Sequence, residues 1–148
     1  MRMNMNTRLH YFSLLRSSTC RYYSTNPEKE EIRKSIVDWI LFREYWDKDD
    51  NIDNFSSRTG IPREEVTSFL LEHIGKHYLT LRKELRIEDA KELILDRPDL
   101  SIYEIARMVG FADKSNFRKD FTEHVGVRPK VWRECKGNRI RCRLSAKA

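Results

Sequence analysis

The sequence predicts an all-α protein in which one helix-turn-helix plan occurs twice, the two copies joined by a long helix. Apolar residues recur mostly at three- and four-residue spacing, which marks helical faces. The 148 residues contain only five Gly and four Pro, which argues against a sheet of many short strands. The tetrapeptide "EHIG" at Glu72–Gly75 also returns as "EHVG" at Glu123–Gly126, and its surroundings return with it. A chain of this length makes one domain, or two small subdomains sharing a core.

Residues 1–26 are expected to be a disordered basic leader or linker. They carry four Arg and no acid. That composition also suits an organelle transit peptide or a start assigned too far upstream, but the later residues point to a bacterial origin and favour a linker.

A first subdomain is expected over 27–76. Asn26 can cap its opening helix, Pro27 suits the first turn, and Glu28, Glu30 and Glu31 complement the helix dipole. Ile32, Ile36, Trp39 and Ile40 fall on one face. The break "DKDDN" reads as loop and cap, because it lacks the spacing and Gly of a Ca²⁺ loop. "IDNFSSRTGIPREEVTSFLLEHIG" then reads as a short helix, a Gly turn and a second helix.

A connecting helix is expected over 77–96. On its Tyr78–Leu95 stretch, Tyr78, Leu81 and Leu85 cluster on one side, and Ile87, Ala90, Leu93 and Ile94 cluster about 150° away. One stripe per half suits a helix that serves two cores. Its length of about 27 Å approaches the repeat of a DNA duplex, so it could carry two reading heads into successive grooves.

The second subdomain, 97–134, repeats the layout in "SIYEIARMVGFADKSNFRKDFTEHVG". Ser101 and Glu104 make a capping box. Phe55, Ser56, Gly60 and Ile61 match Ile105, Ala106, Gly110 and Phe111 at an offset of fifty. After one extra residue in the second turn, Val66 and Leu70 match Phe117 and Phe121. These are the positions a helix-turn-helix constrains: a small residue for close approach, a Gly at the turn, and apolar residues four apart that dock the second helix. The other face of that helix is left free, as in a helix that reads a DNA major groove. Residues 135–148 are expected to be a basic tail, with "KGNRIRCRLSAKA" from 136 a flexible arm.

The net charge of +6 is unevenly spread. Residues 28–75 carry seven basic and twelve acidic side chains, whereas the tail from 135 carries five basic and none acidic. Basic ends suggest a polyanionic partner, nucleic acid first and an anionic membrane surface second. The three Cys are scattered, which disfavours a zinc site or disulfide framework and suggests a reducing compartment. No run of about twenty apolar residues suggests a membrane span.

The stretch "LRIEDAKELILDRPDLSIYEIARMVGFADKSNFRKDFTEHVGVRPKVWR" resembles the AraC/XylS family of bacterial transcription regulators. The matching pattern is Ala106, Gly110, Phe111, Ser115, Phe117, Phe121, Gly126, Pro129, Trp132 and Arg133, and the resemblance extends over about Ile32–Arg133. It implies two homeodomain-like helix-turn-helix subdomains, no enzymatic activity, and a double-stranded DNA partner. Carried over by position, Lys114, Ser115, Asn116 and Lys119 look like the base-reading set, with Arg118 near the backbone. Asn suits adenine, Lys suits guanine, and Ser suits base edges or phosphate. The bland readings are a solvated face for the cations and a capping role for Asn116.

The first unit departs from this pattern. Its reading positions are Arg63, Glu64, Thr67 and Ser68 with Glu65 alongside, and two acids there would meet an electronegative duplex. Pro62 stands where the family usually has a polar cap, and Arg128 where it usually has Ser or Thr. The sensor domain usual in the family is not present in these residues.

The expected function is sequence-specific double-stranded DNA binding that regulates transcription, reading the major groove mainly with the second helix-turn-helix, in the cytoplasm. The alternative is a degenerate regulator acting as a protein-interaction module on RNA polymerase or another regulator. No cofactor, metal, membrane or small-molecule site is expected. His73 and His77 are four apart, but Gly75 should end the helix between them, and His124 repeats His73 without a companion.

Overall fold

The computed structural model describes residues 7–16, 26–138 and 141. Among these it contains helices and no strands. The helices are α1 (Thr7–Leu15), α2 (Pro27–Leu41), α3 (Ile52–Thr59), α4 (Arg63–His73), α5 (Tyr78–Asp96), α6 (Ile102–Met108), α7 (Lys114–Val125) and α8 (Pro129–Glu134), with a 3-10 turn at Glu44–Trp46. The chain divides into two compact units, one ending at Leu85 and the other starting at Arg86. The division falls within α5, so this helix supplies residues to both.

In the first unit Asn26 caps α2 by accepting from the Glu28 and Lys29 N–H groups, with Pro27 in the first turn. Ile32, Ile36, Trp39 and Ile40 are all buried. They join Phe55, Val66, Leu70, Tyr78, Leu81 and Leu85 in one core. Within that core Asp50 is 8% exposed. Its carboxylate accepts from Trp39 Nε1 at 3.2 Å and from the Tyr78 hydroxyl at 2.8 Å. Arg82 donates to the Asp50 carbonyl. Burial, with the adjacent Asp50 charge, pushes the Tyr78 hydroxyl well above its ordinary value. One acid of the "DKDDN" loop is thus a buried hub, while Asn51 caps α3.

The expectation of an unstructured leader needs correcting at Thr7–Leu15. This segment is helix α1, with Tyr11 and Leu15 buried. Lys76 donates to the Tyr11 hydroxyl at 2.7 Å and lies over its ring. An apolar pair four residues apart on a short helix finds burial only against a partner surface, and α2 provides it. The remaining leader positions, 1–6 and 17–25, lie outside the described residues.

In the second unit Ser101 and Glu104 form the expected capping box. The core comprises Ile87, Ala90, Ile94, Ile105, Ala106, Val109, Phe117, Phe121 and Trp132, all buried. Trp132 Nε1 donates to the Lys91 carbonyl at 3.2 Å. Arg133 donates from Nε to the Ile94 carbonyl at 3.1 Å and from its other guanidinium arm to the Arg97 carbonyl at 3.2 Å. Carbonyls at the end of a helix have no partner within it, so Arg133 caps α5 while Trp132 packs against it.

The flexible-arm expectation is also corrected at its start, where Gly137, just past the buried Cys135, donates its N–H to the Trp132 carbonyl. The chain past Asn138, apart from Arg141, lies outside the described residues.

Candidate nucleic-acid interface

Each unit's turn is built from the residues that repeat. Gly60 and Gly110 have φ of 75° and 106°, a left-handed region where a side chain is strained against its own backbone. A Cβ on Gly60 would meet no neighbouring atom within 4 Å, so the backbone angle sets the requirement at that position. Ser56 does more than stay small, since its hydroxyl donates to the Ile61 carbonyl at 2.6 Å. Ala106 is buried and its carbonyl accepts from Phe111 N–H. Both "EHxG" tetrapeptides close the helix that follows their unit's turn, and each Gly lies at positive φ.

The N-cap position held by Pro62 in the first unit is Asp113 in the second, where Oδ1 accepts from Ser115 N–H at 2.6 Å and from Asn116 N–H at 3.1 Å. Capping by Asp113 frees the Asn116 side chain from that role. Phe117 and Phe121 are buried, with ring centroids 5.7 Å apart, and they fix the inner face of the helix. Lys114, Ser115, Asn116, Arg118 and Lys119 are all exposed on α7. Among the described residues none of these five side chains has a hydrogen-bond or ion-pair partner. A capped, core-anchored helix presenting three cations, an amide and a hydroxyl can donate to phosphates and to base edges.

At its C-terminal end α7 is tied down by His124, whose Nε2 lies 2.7 Å from Glu88 Oε1 on α5. Lys91 also pairs with Glu88 at 3.2 Å. Burial pushes the Glu88 carboxyl up, but the His124 hydrogen bond and Lys91 more than offset it and hold it below its ordinary value. The sequence reading missed both Asp113 and Glu88. An Asp directly ahead of the expected helix is a capping signal for the first, whereas nothing in the spacing joins Glu88 to His124.

The equivalent helix of the first unit, α4, is set up differently. Pro62 occupies its N-cap and offers no side-chain acceptor. Glu64 and Glu65 are exposed in its first turn. Arg63 is held by Asp53 on α3 at 2.9 Å. Thr67 is half-buried and Ser68 exposed. Arg128 likewise caps α8 without any side-chain hydrogen bond. Among the described residues no group of His, Cys, Asp and Glu is arranged to hold a metal ion, and no helix is long and apolar enough to cross a membrane.

A family model described as "Helix-turn-helix domain" matches residues 55–134. Among curated proteins no sequence matches the chain. The structure is similar to the C-terminal domain of AraT, a response regulator from Geobacillus stearothermophilus, at TM-score 0.63 and 22% identity, over 70% of this chain and 84% of that one. It is similar to the C-terminal domain of the two-component response regulator yesN from Fusobacterium nucleatum at TM-score 0.61 and 26% identity, over 68% of this chain and 96% of that one. A transcriptional regulator with an AraC-type DNA-binding domain from Chromobacterium violaceum aligns at TM-score 0.61 and 18% identity, over 72% and 96% of the two chains. With two turns of this geometry and a family match over more than half its length, the chain belongs to the AraC-type helix-turn-helix family, whose domains bind double-stranded DNA in the regulation of transcription.

Proposed function

We propose that the second unit binds double-stranded DNA sequence-specifically, with the outer face of α7 in the major groove. The observation that supports this best is the division of labour on that helix. Asp113 caps it, Phe117 and Phe121 anchor it, and the five polar side chains between them are exposed. Asn116 and Lys119 suit an adenine edge and the guanine acceptors respectively. Ser115 suits base edges or phosphate, and Lys114 adds a cation at the helix start. Arg118, on the flank, suits the backbone and fixes register without reading sequence.

The first unit is secondary in this reading. Arg63, Thr67 and Ser68 are its polar groups for the duplex, and Glu64 and Glu65 oppose a close approach. The cations after residue 135 add sequence-independent attraction. The protein thereby acts on transcription through the site it selects.

Selection of binding sites from a random duplex library by the full chain tests this. One enriched motif, whose binding weakens as salt rises and exceeds binding to scrambled duplex, is the expected result. Equal affinity for motif and scramble would remove the claim of sequence reading.

A further inference from the structure

In the first unit α2 packs against α4, and a groove of about 270 Å³ runs between the N-terminal end of α2 and one flank of α4. Ile32 and Phe69 form its floor, both nearly buried. Glu28, Glu64, Glu65 and Glu72 line it, against one cation, Lys29. Lys29 lies 3.9 Å from Glu72, which also has His73 Nε2 at 3.9 Å. Among the described residues the carboxylates of Glu28, Glu64 and Glu65 have no hydrogen-bond or ion-pair partner.

Helix dipoles account for part of this charge, since Glu28, Glu64 and Glu65 lie in first turns. They do not account for Glu72, which sits in the last turn of α4, where an anion is disfavoured. Four carboxylates around one concavity repel each other, and an incoming cation relieves that repulsion. A duplex is the wrong occupant, because its phosphates would add to the repulsion. The carboxylates are also not grouped to hold a metal ion. An apolar floor beneath an acidic rim instead fits a chain that alternates positive and apolar side chains.

We propose that the α2–α4 groove is a docking site for a cationic protein segment that seats an apolar side chain between its charges. The segment's arginines or lysines meet Glu64, Glu65 and Glu72, and its apolar residue rests over Ile32 and Phe69. The first unit then contributes a protein contact, whatever α7 does on DNA.

The test uses the full chain and a fluorescein-labelled peptide of alternating Arg and Leu, followed by anisotropy at low salt. Saturable binding is expected. The triple change Glu64→Gln, Glu65→Gln, Glu72→Gln should weaken it about tenfold, at roughly 0.5 kcal/mol for each exposed charge. Lys29→Gln should tighten binding, because it removes the competing cation. Glu31→Gln with Asp49→Asn removes two exposed acids of the same unit outside the groove and should leave binding within about twofold. A peptide of alternating Arg and Ser should bind more weakly than the Arg-Leu peptide. Thermal melts of each variant separate lost docking from lost fold. Absence of saturable binding, an equal loss in the Glu31/Asp49 variant, or equal binding of the Arg-Ser peptide would overturn the proposal.

Discussion

In the first unit the helix after the turn starts beyond Pro62 and presents Glu64 and Glu65 in its first turn; in the second it starts beyond Asp113 and presents Lys114, Arg118 and Lys119, and both end on an exposed Glu, Glu72 and Glu123. The inner faces of the two helices are equivalent, Val66 and Leu70 against Phe117 and Phe121, all four buried. Packing constrains the inner positions and leaves the outer ones open to change in charge. One plan therefore supports two surfaces of opposite sign. The units also differ in how they are held. The first is organised around a buried carboxylate at Asp50, and the second around the hydrogen bonds of Trp132 and Arg133 to the carbonyls of α5.

The largest effect is expected where the first unit relies on Asp50. Asp50→Ala leaves Trp39 N–H and the Tyr78 hydroxyl buried without their acceptor and should cost about 3 kcal/mol. Urea unfolding followed by circular dichroism measures it. Asp49→Ala, on an exposed neighbour, should cost less than about 0.5 kcal/mol. Equal losses would show that the hub is not what distinguishes the first core.

The next effect concerns α7. Lys119→Ala or Asn116→Ala should cost roughly 1–3 kcal/mol on the selected site and relax base choice at one position. Mobility shifts on matched and mismatched duplexes give the answer. If both duplexes lose equally, these side chains contact phosphate and the second unit reads sequence elsewhere.

A smaller effect is expected on α4. Glu64→Gln with Glu65→Gln should tighten binding to any duplex by about threefold at low salt, and the gain should fade as salt rises. A loss confined to sites with a particular C·G pair would mean that the carboxylates accept from cytosine, and the contrast between the two helices would collapse.

The smallest effect is a pH dependence in the second unit. Glu88 has a lowered carboxyl pKa in the folded state, so its contribution to stability is present above its ordinary value of 4.5. That contribution is lost as pH falls through the folded value, because the unfolded chain then binds more protons. Glu88→Gln should therefore cost stability at pH 6 and progressively less towards pH 3, as read from urea midpoints. A cost independent of pH would assign Glu88 a packing role only.

Much of this architecture was legible because it is local or periodic. Asn26, Ser101 and Glu104 announced helix starts, since a cap and its targets lie within three residues. The two stripes of Tyr78–Leu95 anticipated a helix that serves both units, and α5 runs over nearly that span. The turn glycines were readable because positive φ restricts the residue type. The buried role of Asp50 was not readable, because three other acids surround it and only its partners, eleven and twenty-eight residues away, single it out. Helix α1 escaped notice for a related reason: its burial rests on Tyr11 and Leu15 meeting α2 and Lys76, contacts its own composition does not report.

A helical protein with a doubled helix-turn-helix, and the outward residues of α7, follow from the order of amino acids alone. Helical periodicity and capping act over three or four residues and are written in the chain. Tertiary structure decided which acid is buried, how Trp132 and Arg133 close the end of α5, and that Glu28, Glu64, Glu65 and Glu72 line one groove. Those outcomes depend on which helix packs beside which, and the burial or exposure of a charge is settled only by the neighbours that arrive with the fold.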